Sequence, residues 1–346
     1  MNREKPTFKL IQTKDAAGHI LCHDLTQIIP GVTKDARFRK GHVVTEEDIP
    51  ILLSMGKDNL YIWKKLEGYL HEDEAVLRLI TLCKGPHMRE TAVKEGKVEL
   101  IAERDGLFTV DVARLNAVNG LGEMIIATRH SGTPVRAGDV LLGARVIPLV
   151  IPEVALERAE KLAGELPLVS LAAYKLKTAA ILTIGNEVFH GRIEDAFTPV
   201  VVGKLQQYGV ELKAHKLIDD NREKISAAIL ELRQSGAHLI LCTGGMSVDP
   251  DDKTPAAISD LCPHIVTYGA PVLPGSMFLL GYFEDGVPIL GLPGCVMYQK
   301  PTIFDLVLPQ VLAGKTLSRE DFARMGHGGL CLKCEVCRYP ICPFGK

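Results

Sequence analysis

Three glycine-bearing turns follow apolar segments that are typical of buried strands. They are Gly185-Asn186-Glu187, Thr243-Gly244-Gly245 and Gly291-Leu292-Pro293-Gly294. Glycine lets a backbone approach a ligand closely, and helix N-termini that follow such turns offer N–H donors to anions. In an open parallel sheet, ligands bind beyond the carboxyl ends of the strands. The turns therefore predict a phosphate-sized pocket at one edge of a sheet.

Acidic side chains lie near these turns along the chain. Asp252 follows Gly245 by seven residues and precedes Thr254-Pro255, so it could hold Mg²⁺ against phosphate oxygens. The same spacing also fits an Asx-type turn ahead of a helix. Asp249 and Asp251, which are weaker candidates, concentrate negative charge in this loop, and a shared cation would relieve it. The cluster therefore favours the metal-binding interpretation.

A further acidic pair, Asp219-Asp220, follows another predicted strand and should lie at the same edge. Helix capping is sufficient to account for Asp220, which leaves Asp219 as the better functional candidate. Glu187 is either a solvated turn residue or a residue that contacts the bound ligand at the carboxyl end of the preceding strand. His190 and His215 accompany no serine or cysteine in a recognisable arrangement, so no hydrolase triad is predicted.

The cysteines are unevenly distributed. Five of the nine are single, whereas Cys331, Cys334, Cys337 and Cys342 fall within the last sixteen residues. An odd total in a chain with no recognisable export signal argues against a disulfide framework. The repeated two-residue spacing followed by Cys-Pro resembles ferredoxin loops and predicts a [4Fe–4S] cluster. Zinc in a Cys₄ site is the alternative, and His327 could replace one ligand in either centre.

The pattern of secondary structure divides the chain into five segments. Between about Lys177 and Gly314, apolar runs alternate with helices whose starts are predicted at Thr198-Pro199 and Asp220-x-x-Glu223. Short crossovers of this kind predict an α/β fold, a parallel sheet with helices on both faces. The segments are a small α/β unit (1–70), a β-rich module (71–150), a linker helix (151–176), the α/β domain (177–314) and a cysteine-rich tail (315–346).

Composition limits the classes of function. The 346 residues carry 40 Lys+Arg against 42 Asp+Glu, a formal net charge of -2, so no basic excess drives binding to nucleic acid. The amino-terminal stretch has no apolar core typical of a signal peptide, and no apolar run reaches membrane-spanning length. We therefore expect a cytoplasmic protein that binds neither nucleic acid nor membrane.

In their order and spacing, the motifs resemble the molybdopterin-binding fold shared by molybdopterin adenylyltransferases and molybdenum insertases. The resemblance covers about Lys177 to Gly314, and more weakly Gly41 to Trp63. In that family a Thr-Gly-(Asp/Asn)-Glu turn, a Thr-Gly-Gly loop that ends in Asp before a Thr-led helix, and a Gly-Leu-Pro-Gly turn surround the pterin phosphate. The resemblance implies catalytic carboxylates at Asp252, Asp219 and Asp220, and pterin-binding residues at Gly185, Asn186, Glu187, Thr243, Gly244, Gly245, Ser247, Pro293 and Gly294.

The chain departs from the family pattern at three places. Ile184 stands where the first turn usually has threonine, Cys295-Val296 replaces the Asn-Pro after the last glycine, and the insertases' amino-terminal Asp-Gly-Tyr-Ala signature is absent. The segment from Gly41 to Trp63 nevertheless resembles the piece that precedes this fold in insertases, and the cysteine tail belongs to neither enzyme pattern. The insertase branch is therefore favoured.

The resemblance implies a role in molybdenum cofactor biosynthesis through binding of molybdopterin or adenylyl-molybdopterin. The expected reaction is transfer of molybdate into the dithiolene, with Asp252 and Mg²⁺ polarising the phosphoanhydride. We also expect a homo-oligomer and a molybdoenzyme partner. The Gly185-Asn186-Glu187 turn and Asp251-Asp252-x-Thr254 also resemble the competence-damage-type domain, a Mg²⁺-dependent pyrophosphatase for substrates like ADP-ribose. A non-catalytic cofactor carrier or redox sensor is the third interpretation.

Overall fold

The computed structural model describes residues 9–29, 33–62, 68–94, 96–247, 249 and 252–346. Trp63 and Asp251, which the sequence assigns to a strand and to the acidic loop, lie outside the described residues. The chain folds into two compact units, and the division into five segments stays a prediction. The first unit comprises the described parts of Met1–Glu103, Val110–Arg129 and Ala137–Leu171, and the second comprises Arg104–Thr109, His130–Arg136 and the described parts of Ala172–Lys346.

The strands and helices follow one another along the described residues. The strands are β1 (Lys9–Gln12), β2 (Leu25–Ile29), β3 (Thr33–Phe38), β4 (Asn59–Ile62), β5 (Tyr69–His71), β6 (Met88–Glu90), β7 (Lys97–Ala102), β8 (Gly106–Val110), β9 (Met124–Thr128), β10 (Thr133–Val135), β11 (Val140–Val146), β12 (Val150–Pro152), β13 (Val169–Ala172), β14 (Thr178–Ile184), β15 (Glu211–Ile218), β16 (Leu239–Thr243), β17 (His264–Tyr268), β18 (Leu279–Tyr282) and β19 (Pro288–Leu292). The helices are α1 (Asp48–Ser54), α2 (Glu72–Cys83), α3 (Val112–Asn119), α4 (Glu153–Ala163), α5 (Asn186–Phe189), α6 (Phe197–Gln206), α7 (Arg222–Gln234), α8 (Thr254–Leu261), α9 (Ile303–Leu312) and α10 (Arg319–Arg324). Within these ranges, no helix is both long and apolar enough to cross a membrane.

The first unit is built from small antiparallel sheets and helices. Strand β1 pairs with β4, β2 with β3 and β5 with β12, and a four-stranded sheet has the order β6-β7-β11-β9. The strands β7, β9 and β11 lie close to where the alternating pattern predicts them. That pattern does not predict helix α2, although its buried residues recur at helical spacing. They include Ala75, Val76, Leu79, Ile80 and Cys83.

A six-stranded sheet forms the centre of the second unit. Its strand order is β15-β14-β16-β19-β18-β17. The first four strands run parallel, whereas β18 pairs antiparallel with both β19 and β17. The predicted α/β sheet is therefore confirmed, but the expectation of a parallel sheet is wrong at β18, which runs against the other five strands of the sheet. The reason is the five-residue connection from β18 to β19, which is too short for the crossover that parallel neighbours need.

Helices cover both faces of this sheet, as predicted. In β14, Ile181 packs in a core with residues of α6 and α9, whereas its neighbour Leu182 packs in a core with residues of α7 and α8. Burial on both faces explains why the sequence of β14 is a near-continuous apolar run. Strand β15 forms one edge of the sheet, and its exposed side chains include Lys213 and His215.

Two helices of the second unit are capped by residues other than the predicted ones. Helix α6 begins at Phe197, and Asp195 rather than Thr198 caps it, since the Asp195 carboxylate accepts the N–H groups of Phe197 (2.9 Å) and Thr198 (3.0 Å). Helix α7 is capped by Asn221, whose side chain accepts a backbone N–H of the first turn (2.9 Å). Capping therefore does not account for Asp220.

Candidate functional site

The second glycine turn packs directly against the end of β14. Gly244 has φ +86°, and a Cβ at this position would lie 1.9 Å from the carbonyl oxygen of Ile184. A Cβ on Gly245 (φ +58°) would lie 2.6 Å from Oγ1 of Thr254. The buried Thr254 hydroxyl donates a hydrogen bond to the carbonyl of Gly244 (2.9 Å). The turn is thus fixed between β14 and the start of α8, and it requires glycine at both positions.

Asp220 joins the first turn to the second. Its Oδ2 accepts the backbone N–H of Asn186 (2.9 Å), and its Oδ1 lies 3.7 Å from the position of a Cβ on Gly245. The N–H of Gly185 also donates to the carbonyl of Ile218, the last residue of β15 (3.1 Å). The structure therefore brings the first turn, the second turn and the acidic loop after β15 to one edge of the sheet.

Negative charge accumulates at this edge. Burial is the largest cause of the raised pKa of Asp220, and the charges of Glu187, Asp252 and Asp219 raise it further, against the hydrogen bond from Asn186. Glu187, Asp252 and Asp219 are therefore close enough to Asp220 to oppose its ionisation. A cation among them would relieve the repulsion.

Asp219 has a cationic partner. Nζ of Lys224 lies 2.7 Å from its Oδ2, and this hydrogen bond lowers the pKa of Asp219 below its usual range. Its Oδ1 is buried without a hydrogen-bond partner among the described residues. A buried acceptor without a donor costs free energy. Asp219 thus keeps an unused acceptor beside the site.

The second and third turns line one pocket. It contains about 1120 Å³ of space, part of which is open to solvent. The N–H of Ser247 donates to Oδ2 of Asp252 (2.6 Å), and the Tyr268 hydroxyl donates to the carbonyl of Met246 (3.1 Å). The first turn lies beside this pocket and reaches the second turn through Asp220. The lining residues are Gly244, Gly245, Met246, Ser247, Asp252, Leu273, Pro274, Gly275, Ser276, Met277, Pro293, Gly294, Cys295, Met297 and Tyr298.

One wall of the pocket, the loop of residues 273–277, is not predicted by the sequence. The loop precedes β18, and because β18 runs antiparallel to β19, Leu279 at its start pairs with Gly291 near the end of β19. The loop therefore reaches the same edge as the turn that follows β19. Gly275 (φ +122°) packs closely here, since a Cβ would lie 2.5 Å from Cγ2 of Ile303. Its Pro-Gly pair was the available sequence signal.

A polar cluster lies at the same edge, near the start of α6. Nε2 of His215 lies 3.0 Å from Oγ1 of Thr183 and 3.2 Å from Oγ1 of Thr198, whose hydroxyl donates to Asp195 (2.6 Å). His215 is thus not isolated, because the register of β15 against β14 brings it beside Thr183, and the start of α6 brings Thr198 to it. Thr243 pairs with Thr183 across the sheet and is fully buried, and its Oγ1 has no partner within the described ranges.

The described residues contain no group of three or more His, Cys, Asp or Glu side chains close enough to hold a metal ion. Oxygen donors that suit Mg²⁺ are nevertheless present in Asp220, Glu187 and Asp252. Mg²⁺ commonly binds through one or two carboxylates together with phosphate oxygens of a substrate, so a complete protein cage is not required. The donor set fits a magnesium ion that binds together with a phosphorylated ligand.

The tail cysteines line a second pocket of the same unit. It contains about 380 Å³ of space, and its other walls include Leu330, Leu332, Lys300, Arg338 and Phe344. The four residues Cys331, Cys334, Cys337 and Cys342 are all free thiols. His327, the predicted substitute ligand, lines a different pocket. The structure thus places the four thiols together but leaves His327 apart from them.

Comparison with known proteins identifies the domain that contains the first site. A family model described as a probable molybdopterin binding domain matches residues 180–313. This range contains all three glycine turns and the carboxylates around Asp220. Residues 180–313 are therefore similar to the molybdopterin-binding family, and this range, which runs from β14 to the end of α9, is named the molybdopterin-binding domain after the family that it matches. A second model, described as a domain of unknown function, matches residues 10–64.

Several curated proteins are similar to this chain. A molybdopterin molybdenumtransferase of Staphylococcus epidermidis is 28% identical over 207 residues, which cover 55% of this chain and 48% of that protein. Another, of Haemophilus influenzae, is 23% identical over 330 residues, 92% of this chain and 75% of that protein. A CinA-like protein of Mycobacterium avium is 32% identical over 94 residues, 27% of this chain and 22% of that protein. The chain thus spans about half the length of the Staphylococcus relative.

Solved structures are similar to part of this chain. The molybdopterin biosynthesis enzyme MoaB from Thermus thermophilus is 24% identical, and the match covers 40% of this chain and 98% of that chain with a TM-score of 0.35. A MoaB described as a tungsten cofactor synthesizing protein, from Pyrococcus furiosus, is 19% identical over 40% of this chain and 93% of that chain, with a TM-score of 0.33.

Proposed function

We propose that the second unit binds molybdopterin, or its adenylylated form, and that the protein acts in molybdenum cofactor biosynthesis by inserting molybdate. The observation that carries the proposal is the convergence of Gly244-Gly245, Pro293-Gly294 and Asp252 on one pocket of the molybdopterin-binding domain. The similarity to molybdopterin molybdenumtransferases supports the same class of reaction.

Each part of the site has a role in this proposal. The glycine turns hold the pterin phosphate, because backbone without Cβ atoms lets phosphate oxygens approach the N–H groups. Asp252 and Asp220 hold Mg²⁺, which when bound neutralises phosphate charge. Asp220 gains most from the cation, since its neighbours already oppose its ionisation. Ser247 fixes Asp252 through its backbone N–H, and Asp219 supplies a further acceptor.

Substitution of Asp252 separates catalysis from binding. Asp252→Ala should abolish molybdenum incorporation into the pterin while the Kd for molybdopterin stays within a few fold, because the glycine turns remain. Glu284→Ala, at an exposed position in the connection from β18 to β19, is the matched loss of a carboxylate and should change neither quantity. Equal loss of turnover and binding in Asp252→Ala would refute the role assigned to this residue.

A second candidate function is hydrolysis of an ADP-ribose-like pyrophosphate, which the match to a CinA-like protein over 94 residues favours. Incubating the protein with ADP-ribose and Mg²⁺ distinguishes the two. Molybdate insertion predicts no cleavage, and mass spectrometry of ligand purified with the protein under nitrogen should show a pterin. Mg²⁺-dependent release of AMP, with no bound pterin, would favour the pyrophosphatase.

The proposal extends to the setting of the reaction. We propose that the protein acts in the cytoplasm as a homo-oligomer that passes its product to a molybdoenzyme, and that its tail cysteines hold a metal centre. Light scattering during size-exclusion chromatography tests the oligomeric state, since a monomer at micromolar concentration would contradict the proposed homo-oligomer.

A further inference from the structure

The cysteine tail is hydrogen-bonded to the wall of the pterin pocket. The N–H of Leu273 donates to the carbonyl of Gly329 (2.8 Å), and the N–H of Cys331 donates to the carbonyl of Leu273 (2.8 Å). Leu273 and Pro274 line the pocket that contains Asp252. The first thiol of the cysteine motif is therefore connected through its own backbone to one wall of the proposed pterin site.

The far end of the tail is also attached to the domain. The Tyr339 hydroxyl donates to the carbonyl of Asp305 in α9 (2.8 Å), and the Phe344 side chain is buried. Between these attachments, Cys334 and Cys337 are exposed. The tail is thus fixed at both ends, and its freedom to rearrange is greatest around these two thiols.

The spacing of the cysteines favours a cluster, because the repeated two-residue interval followed by Cys-Pro resembles ferredoxin loops. All four thiols line one pocket, although no three of the described side chains are placed to hold a metal ion as the chain stands. A zinc–sulfur bond is about 2.3 Å long, so a Cys₄ zinc site draws its sulfurs tightly together. A [4Fe–4S] cluster is bound by one thiolate at each iron and spans a wider gap. The pocket contains about 380 Å³ of space, part of which is open to solvent.

The walls of this pocket also suit a cluster. Four thiolates give a bound cluster a net negative charge, and Lys300 and Arg338 line the same pocket. Leu330, Leu332 and Phe344 supply apolar surface beside the thiols. Charge and solvent exposure around the sulfurs are the properties through which proteins tune such centres.

We infer that Cys331, Cys334, Cys337 and Cys342 bind a [4Fe–4S] cluster and that its assembly sets the position of the 273–277 loop in the pterin pocket. Assembly draws the exposed thiols of Cys334 and Cys337 towards the half-buried Cys331 and Cys342, and the hydrogen bonds of Leu273 then tie the loop to a tail that the cluster holds in one arrangement. The consequence for pterin affinity rests on the proposed function, whereas the cluster and its link to the loop do not.

Metal analysis of the full chain tests the cluster. Protein purified without oxygen should contain about four irons and four sulfides per chain, and so should Glu335→Gln, which changes the tail and keeps every thiol. Cys334→Ser and Cys337→Ser should lose most of the iron, and their circular dichroism spectra should match that of Glu335→Gln, which shows that they still fold. Stoichiometric zinc, a metal-free wild type, or iron that survives both substitutions would overturn the inference.

Hydrogen–deuterium exchange tests the link to the pocket. Amides of the 273–277 peptide should exchange at least about fivefold more slowly in the iron-loaded protein than in Cys334→Ser, because the cluster holds Leu273 in place. Equal exchange in the two proteins would overturn the link. The Kd for molybdopterin should differ by a similar factor between the iron-loaded protein and Cys334→Ser.

The outcomes separate this inference from the proposed function. Protein that holds iron and shows the exchange difference, but binds no molybdopterin in either form, would refute the proposed function and leave the cluster and its link standing. Protein that binds molybdopterin equally well in both forms, with equal exchange, would refute the link and leave the pterin site standing.

Discussion

Replacing Gly244 with alanine tests whether the second turn has to lie against the end of β14. The added Cβ would be 1.9 Å from the Ile184 carbonyl oxygen, whereas real Cβ contacts are essentially never shorter than 3.0 Å. The turn and the strand end must therefore separate by about 1 Å. Because the obstacle is backbone rather than a flexible side chain, a change of rotamer cannot relieve it.

Two terms contribute to the cost of this substitution. A left-handed backbone costs an L-residue about 1 kcal/mol relative to glycine, and Gly244 has φ +86°. Overpacking in a close-packed region adds about 2 kcal/mol. We expect Gly244→Ala to destabilise the second unit by about 3 kcal/mol. The displaced turn should also weaken molybdopterin binding by at least about tenfold, which corresponds to about 1.4 kcal/mol.

Gly286→Ala is the matched control. Gly286 has φ +81°, nearly the same as Gly244, but no atom lies within 4 Å of the Cβ position. Gly286→Ala should therefore lose only the free energy of unfolding that a left-handed backbone costs alanine, about 1 kcal/mol, and it should bind molybdopterin normally. Thermal melting and pterin titration compare the two variants. The reasoning would be refuted if Gly244→Ala melted at the same temperature as Gly286→Ala and bound the ligand equally well.

Three further substitutions probe the site and its surroundings. Thr254→Val removes the hydrogen bond to the Gly244 carbonyl and should cost about 1–2 kcal/mol in melting experiments, with most of the loss recovered in Thr254→Ser. Asp220→Asn should raise the melting temperature at pH 7, because a carboxylate with a raised pKa destabilises the fold once ionised. The gain should vanish as the pH falls below about 3.9, and a gain independent of pH would contradict this. Ser318→Ala breaks the capping box that Ser318 forms with Asp321 at the start of α10, so it should cost about 1 kcal/mol and leave the Kd for molybdopterin unchanged.

The features that the sequence predicts well are those with local causes. The glycine turns at Gly185, Gly244 and Pro293-Gly294 follow apolar runs, and both signals depend on residues that are adjacent in the chain. The four parallel strands follow from the alternation of such runs with helices. The acidic loop after β15 reaches the predicted edge for the same reason, since the carboxyl ends of parallel strands meet there.

The features that the sequence does not predict depend on which strands become neighbours. The 273–277 loop reaches the pocket only because β18 is antiparallel to β19. His215 meets Thr183 only through the register of β15 against β14. The sequence predicts the wrong capping residues for α6 and α7, because Asp195 and Asn221 are as suitable for capping a helix as their neighbours Thr198 and Asp220. Strand pairing, register and capping depend on contacts in the folded structure, so a single sequence contains little information about them.

The outer strand β15 has a consequence for assembly. An uncovered strand offers its free N–H and C=O groups to any extended chain, and lysines along such a strand discourage that addition. Lys213 and Lys216 occupy β15, and Lys216 forms an ion pair with Glu231 of α7. A second copy that tried to continue the sheet here would have to bring its own lysines against these cations. Subunits that associate are therefore expected to meet through other surfaces, and the protein should resist fibril-like polymerisation along this border.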